Sequence, residues 1–206
     1  MKRVALLGVV LIGLILLAAC GTEQLIEKPA GEINLRPEDL GESYRLEREE
    51  NLEGLLKLLD LEEAPGFLEA NLRIFTGTLA VSPSVVPTPT QVIAAVLRCD
   101  SSGGAQGALQ EIHSNVEGGL NKQAEGRIKT EKLEPPEIAE GEIEVVFSRA
   151  TVTTTAGLRG ESYLLFFRRR NVLGFLVTAG PAGAFREEEV VGLAGKMAGR
   201  VPLPQP

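Results

Sequence analysis

Residues Ser162 to Gly180 constrain this chain's fold most. SYLLFF and VLGFLVTAG are two apolar runs separated only by Arg168-Arg169-Arg170-Asn171. Two such runs with a short polar connection read as a β-hairpin. Further strands are expected around it. Ile143 to Thr155 alternates and is crowded with β-branched residues. Thr90 to Cys99 (TQVIAAVLRC) is apolar on both alternations, as a central strand is. Leu72 to Val81 is rich in strand formers, and Tyr44 to Arg48 alternates apolar with charged residues.

Helical periodicity occupies the intervals. Leu52, Leu55, Leu56 and Leu59 share one face behind Asn51, a plausible N-cap. Pro65-Gly66 ends that helix. Ala105, Ala108, Leu109, Ile112, Val116 and Leu120 recur every three or four residues, with Gly118-Gly119 expected to fray the end. A last helix begins near Arg186, its Glu187, Glu188 and Glu189 suited to the positive N-terminal end. Val190, Leu193, Ala194, Met197 and Val201 form its stripe. The order is strand, helix, two strands, helix, about four strands, helix. This predicts an α+β single domain, mainly antiparallel sheet with two to three packed helices.

Composition narrows the function. Aromatic residues are 4% of the chain and Trp is absent, which disfavours a stacking platform for sugars or bases. Lys2 and Arg3 belong to a segment expected to be removed. Of 21 basic residues this leaves 19 against 28 acidic, a net charge of −9. Nucleic acid is excluded as a partner, since phosphate binding needs a basic patch.

The first twenty residues are MKRVALLGVVLIGLILLAAC. A positive start, an apolar run from Val4 to Leu17 and the small Ala18 and Ala19 make the three-part layout of a secretory signal. The run is short for a transmembrane helix, which needs about 20 residues. Leu17-Ala18-Ala19-Cys20 resembles the lipobox of bacterial lipoproteins. The resemblance implies cleavage before Cys20, diacylglycerol on its thiol and acylation of the new amine. Two or three chains at about 0.8 kcal/mol per buried CH₂ make a stable anchor. The alternatives are a plain signal peptide whose Cys20 pairs with Cys99, or an uncleaved anchor. The expected organisation is a signal peptide over 1–19, a lipid-anchored flexible tether over 20–40, the α+β domain over 41–201 and a disordered tail over 202–206. The expected location is the extracytoplasmic face of the cell membrane, or the outer membrane where the envelope has two.

The element order, with a DLGESYRLERE opening and a closing hairpin plus helix, also resembles the PsbP-like α/β/α sandwich and domains of bacterial lipoproteins. This resemblance implies an antiparallel sheet and a role in binding or assembly.

Motifs for chemistry are sparse. His113 is the only histidine and flanks the second helix's apolar stripe, so it reads as a partly exposed helix residue. One His with no nearby Cys makes none of the usual zinc sets, and no Gly-x-Ser-x-Gly elbow supports a triad. Cys99 reads as a small core residue. The carboxylates of Glu47, Glu49, Glu50, of Glu137, Glu140, Glu142 and of Glu187 to Glu189 sit in polar runs and read as solvated faces. No catalytic residue, metal or cofactor is expected. Arg168, Arg169 and Arg170 are candidate contacts for headgroups or an acidic partner, at a hairpin tip that packing is not expected to need. Their bland reading is a solvated turn that discourages edge aggregation. Val85 and Val86, apolar residues in the SPSVVPTP loop, are candidate contacts too. The leading expectation is a non-enzymatic, membrane-anchored binding or assembly module for an envelope protein or ligand. The alternatives are a lipid or hydrophobic-ligand carrier and, behind it, a cell-envelope hydrolase. A carrier needs a large apolar pocket between sheet and helices. A partner-binding module needs a filled core and an exposed patch. A hydrolase needs convergent polar side chains in a cleft.

Overall fold

Arg169 pairs with Val172, so the hairpin turns on Arg170 and Asn171 alone. Around it the computed structural model describes residues 24–59, 66–79, 88–123, 128–153 and 158–203. In chain order these form α1 (Ala30–Ile33), α2 (Pro37–Leu40), β1 (Tyr44–Glu50), α3 (Leu52–Leu59), β2 (Phe67–Leu79) and β3 (Thr88–Cys99). Then come α4 (Ser102–Gln123), β4 (Ile128–Lys132), β5 (Glu144–Thr153), β6 (Arg159–Arg169), β7 (Val172–Pro181) and α5 (Glu187–Gly199). The strands make one seven-stranded sheet in the order β1-β2-β3-β7-β6-β5-β4, with every neighbouring pair antiparallel. The expected α+β domain with an antiparallel sheet is observed.

Period-two alternation gives the sheet two apolar faces. On one face Phe75, Val92, Val96, Leu165 and Phe167 pack with α1 and with Val190, Ala194 and Met197 of α5. On the other, Leu72, Leu97, Leu164, Phe166 and Phe175 meet Leu55 of α3 and Ala108, Leu109 and Ile112 of α4. Helices thus cover both faces. Both cores are filled by Leu, Val, Ile, Ala and Phe, and Phe147, Phe166 and Phe167 are fully buried. Asn51 caps α3 as expected: Gly54 N donates to its side chain at 3.4 Å and Leu55 N to its carbonyl at 3.0 Å. α4 runs on through Gly118-Gly119 to Gln123 rather than fraying at the glycines. Among the described residues no helix is long and apolar enough to cross a membrane.

The flexible tether expected over 20–40 is corrected in its described part; residues 20–23 lie outside the described residues. From Ile26 onward this segment is a strap belonging to the domain. Ala30, Ile33 and Leu35 are fully buried and Ile26 nearly so. Pro29 and Pro37 do not mark disorder; they stand at the N-cap of α1 and the first turn of α2, where a missing N–H costs nothing. The buried Asn34 pins the strap, donating to the Ala94 carbonyl at 3.1 Å and to the Asn71 carbonyl at 2.9 Å. Arg73 of β2 donates to the Leu35 carbonyl at 2.8 Å. At the far end Val201 is buried and Leu203 exposed, and residues 204–206 lie outside the described residues.

Candidate functional site

The three arginines do not form one exposed patch. β6 continues through Arg169, so Arg168 and Arg169 point to opposite faces of the sheet. Arg168 pairs across the strand with Glu144, Nε to Oε2 at 2.8 Å. Arg169 is 4% exposed. Its guanidinium donates to the carbonyls of Val201 at 2.8 Å and Ala198 at 3.4 Å, and also to that of Glu140. These carbonyls include the end of α5, where the helix dipole favours a cation. Burial lowers the pKa of Arg169 from the ordinary arginine value. Arg170 occupies the turn with φ 52° and donates to the Gln24 carbonyl at 2.8 Å. The expectation that packing does not need this tip is therefore wrong for Arg169. Strand alternation continued two residues past SYLLFF puts Arg169 on the inward face of Tyr163, Leu165 and Phe167.

A cleft of about 530 Å³ opens beside this turn, lined by Ser102, Glu142, Ile143, Glu144, Arg168 and Arg170 among others. Its charges are mixed, and Arg168 is already engaged by Glu144.

A second cleft, of about 470 Å³, lies at the other end of the strands, between α5 and the β1–β3 corner. It was not anticipated from the sequence. Tyr44 at the start of β1 lays its ring over Gly77, where an added Cβ would come within 2.7 Å of the ring. Thr90 of β3 donates to the Tyr44 hydroxyl at 3.2 Å. Phe185 sits 6.5 Å from Tyr44, ring centre to ring centre, and Leu40 and Leu193 complete the apolar wall. The rim is polar. Lys196 donates to the Asp39 carbonyl at 2.8 Å, while the Asp39 carboxylate accepts from Arg200 at 2.8 Å. Glu189 accepts from the Arg186 backbone at 3.1 Å and from its guanidinium at 2.7 Å. These bonds, the backbone one foremost, hold the Glu189 carboxyl below its ordinary pKa. The arrangement is an apolar floor with four hydroxyl side chains, those of Ser43, Tyr44, Thr78 and Thr90, and the charged Asp39, Glu189 and Lys196 at the rim, suited to holding an amphipathic group.

The other sequence candidates lie apart from this cleft. Cys99 is fully buried at the end of β3, as expected of a core residue, and burial pushes its thiol up to about 11. His113 on α4 is partly buried and meets Phe166 edge to face at 5.2 Å. The glutamates of the three acidic runs are exposed, apart from a half-buried Glu50. Among the described residues no group of three or more His, Cys, Asp or Glu side chains is placed to hold a metal ion. Cys20, Val85 and Val86 lie outside the described residues.

No protein-family model matches the chain, and no curated protein matches it significantly. Among solved structures, the extracellular domain of PknH from Mycobacterium tuberculosis is similar, with a TM-score of 0.53 and 14% identity. The likeness covers 86% of this chain and 96% of that domain. At this identity what the two share is the fold.

Proposed function

We propose that this chain is a lipid-anchored extracytoplasmic binding module whose ligand enters the Tyr44–Phe185 cleft. The observation that carries the reading is the cleft itself. A volume of about 470 Å³ falls in the range of ordinary ligand sites, and an apolar floor with a few placed polar groups is their usual chemistry. The anchor is read from Leu17-Ala18-Ala19-Cys20. The fold shared with a domain described as extracellular accords with export. The PsbP-like reading draws support from the helices on both faces of an antiparallel sheet. A non-enzymatic role is favoured because Cys99 and His113 lie away from the cleft, Cys99 with its thiol raised out of the reactive range. The carrier reading is narrowed rather than discarded. Among the described residues both sheet faces are filled, so in this reading a lipid or other apolar ligand enters the same cleft.

The test is purification from membranes, with mass spectrometry of what elutes with the protein. A small molecule or peptide is expected with the wild type and with an exposed-site control, Leu58→Trp. It should be depleted at least several-fold in Leu193→Trp, which fills the cleft. Identical eluates from wild type and Leu193→Trp at equal yield refute the site.

A further inference from the structure

The strap fixes where the chain enters the domain. Ile26 and Asn171 are joined twice: Ile26 N donates to Asn171 Oδ1 at 2.7 Å, and Asn171 Nδ2 donates to the Ile26 carbonyl at 3.2 Å. Arg170 holds the Gln24 carbonyl, and Arg98 holds that of Glu27 at 3.0 Å. The chain therefore enters the domain at the β6–β7 turn. Only Gly21, Thr22 and Glu23 separate Gln24 from Cys20. Four residues reach at most about 14 Å.

Resting on the lipid-anchor reading above, we infer that the β6–β7 end of the sheet sits against the phospholipid headgroups and the Tyr44–Phe185 cleft faces away from the bilayer. β3 has 12 residues, so its first residue stands roughly 36 Å from its last and Thr90 roughly 30 Å from Cys99. Tyr44, Thr78 and Thr90 are at that remote end. Bringing the cleft end onto the bilayer would lift Gln24 by about 30 Å, far beyond the reach of four residues. The end nearest the anchor also carries Arg170 at the turn and the cleft lined by Arg168 and Ser102, which places guanidinium groups at headgroup depth. The rest of the domain is acidic overall and has no charge-driven reason to lie flat on an anionic surface.

The test uses the full lipidated chain in phosphatidylcholine vesicles containing an acceptor dye on the lipid headgroup. One donor dye is placed at Leu203→Cys, an exposed residue beside Arg169, and in a separate sample at Arg159→Cys, the exposed start of β6. Cys99 is buried and stays unlabelled. Quenching at position 203 should exceed that at 159 several-fold. Inserting about 20 Gly/Ser residues after Gly21, with an r.m.s. span of roughly 25 Å, should erase most of the difference. Mass spectrometry of the same samples reads the acyl groups on Cys20. Acylated protein with equal quenching, or with stronger quenching at 159, overturns the orientation and leaves the anchor standing. Protein without acyl groups overturns the anchor, and the orientation with it.

Discussion

Substituting the three consecutive arginines one at a time should give three different results, because each has a different job. Arg169→Met keeps much of the buried stem but removes every donor. It leaves the carbonyls of Val201, Ala198 and Glu140 facing a side chain that cannot bond them. A buried acceptor left unpaired costs about 1–3 kcal/mol, and a cation at a helix C-terminus contributes up to about 2 kcal/mol. Against this, Met no longer has to be stripped of a guanidinium's hydration. The 3.4 Å bond to Ala198 is also weak. A net loss of about 2–4 kcal/mol follows, a large part of a typical domain stability of about 5–15 kcal/mol. Arg168→Ala breaks a pair whose Glu144 side chain is 37% exposed, and should cost less than about 1 kcal/mol. Arg170→Gly loses one hydrogen bond to the strap but relieves a left-handed backbone worth roughly 1 kcal/mol, so it should be close to neutral. Urea unfolding of the soluble form beginning at Gly21 gives all three numbers. Arg169→Met no more destabilising than Arg168→Ala would overturn the buried role of Arg169. It also follows that reversing all three charges together unfolds the protein and cannot report on binding.

The strap and Glu49 give three further expectations. Ile33→Ala, at a fully buried position, should cost about 2–5 kcal/mol, and a chain beginning at Gly41 should lose cooperative unfolding; a sharp transition in that truncated form would refute the strap's place in the core. Glu49 accepts from Asn71 at 2.8 Å and from Arg73 at 2.9 Å, and these bonds, that from Asn71 first, hold its pKa below the ordinary carboxylate value. A lowered pKa stabilises the fold above the unfolded value, about 4.3 for Glu, and that contribution disappears as pH falls through the folded value. With Glu49 44% exposed the effect should stay under about 1 kcal/mol. Glu49→Gln should therefore lower the urea midpoint slightly at neutral pH and flatten its acid slope, and an unchanged slope would count against the assignment.

The parts of the fold that follow from local periodicity were legible in the sequence, and the parts that depend on distant partners were not. SYLLFF and VLGFLVTAG gave β6 and β7, and the doubly apolar TQVIAAVLRC gave a strand interior to the sheet. The stripes from Ala105 and from Val190 gave α4 and α5. The strap was hidden because residues 24–40 contain only two single-turn helices, which show no periodicity, and their prolines imitate a linker. What fixes them is Asn34 and Ile33 meeting β2 and β3, dozens of residues away. The burial of Arg169 is obscured in the sequence for a related reason. Charge suggested solvent, whereas the carbonyls that accept it come from α5 and the Glu140 loop. The cleft at Tyr44 and Phe185 was invisible because its walls come from β1, β2, β3, α2, α5 and the segment carrying Ala184 and Phe185, and no single segment shows a gap.

The two sheet edges indicate where the proposed binding does not take place. β1 and β4 are the edge strands, and their free backbone groups would be the natural template for an added strand. β1 presents Arg45, Glu47, Arg48 and Glu49 to solvent and is interrupted by a bulge between Leu46 and Arg48. A bulge bends the edge away from straight pairing. β4 is short, five residues, and exposes Lys129, Glu131 and Lys132. Arg48 and Arg73 are occupied by Glu50 and Glu49, so an incoming strand would have to displace ion pairs before gaining hydrogen bonds. Partner recognition by strand addition is therefore disfavoured at both edges, and helices cover the two faces. Among the described residues, what remains are the two ends of the strands. One carries the strap, the arginine turn and, in the proposed orientation, the bilayer. The other carries the Tyr44–Phe185 cleft, where a ligand meets apolar floor and polar rim without displacing any sheet pairing.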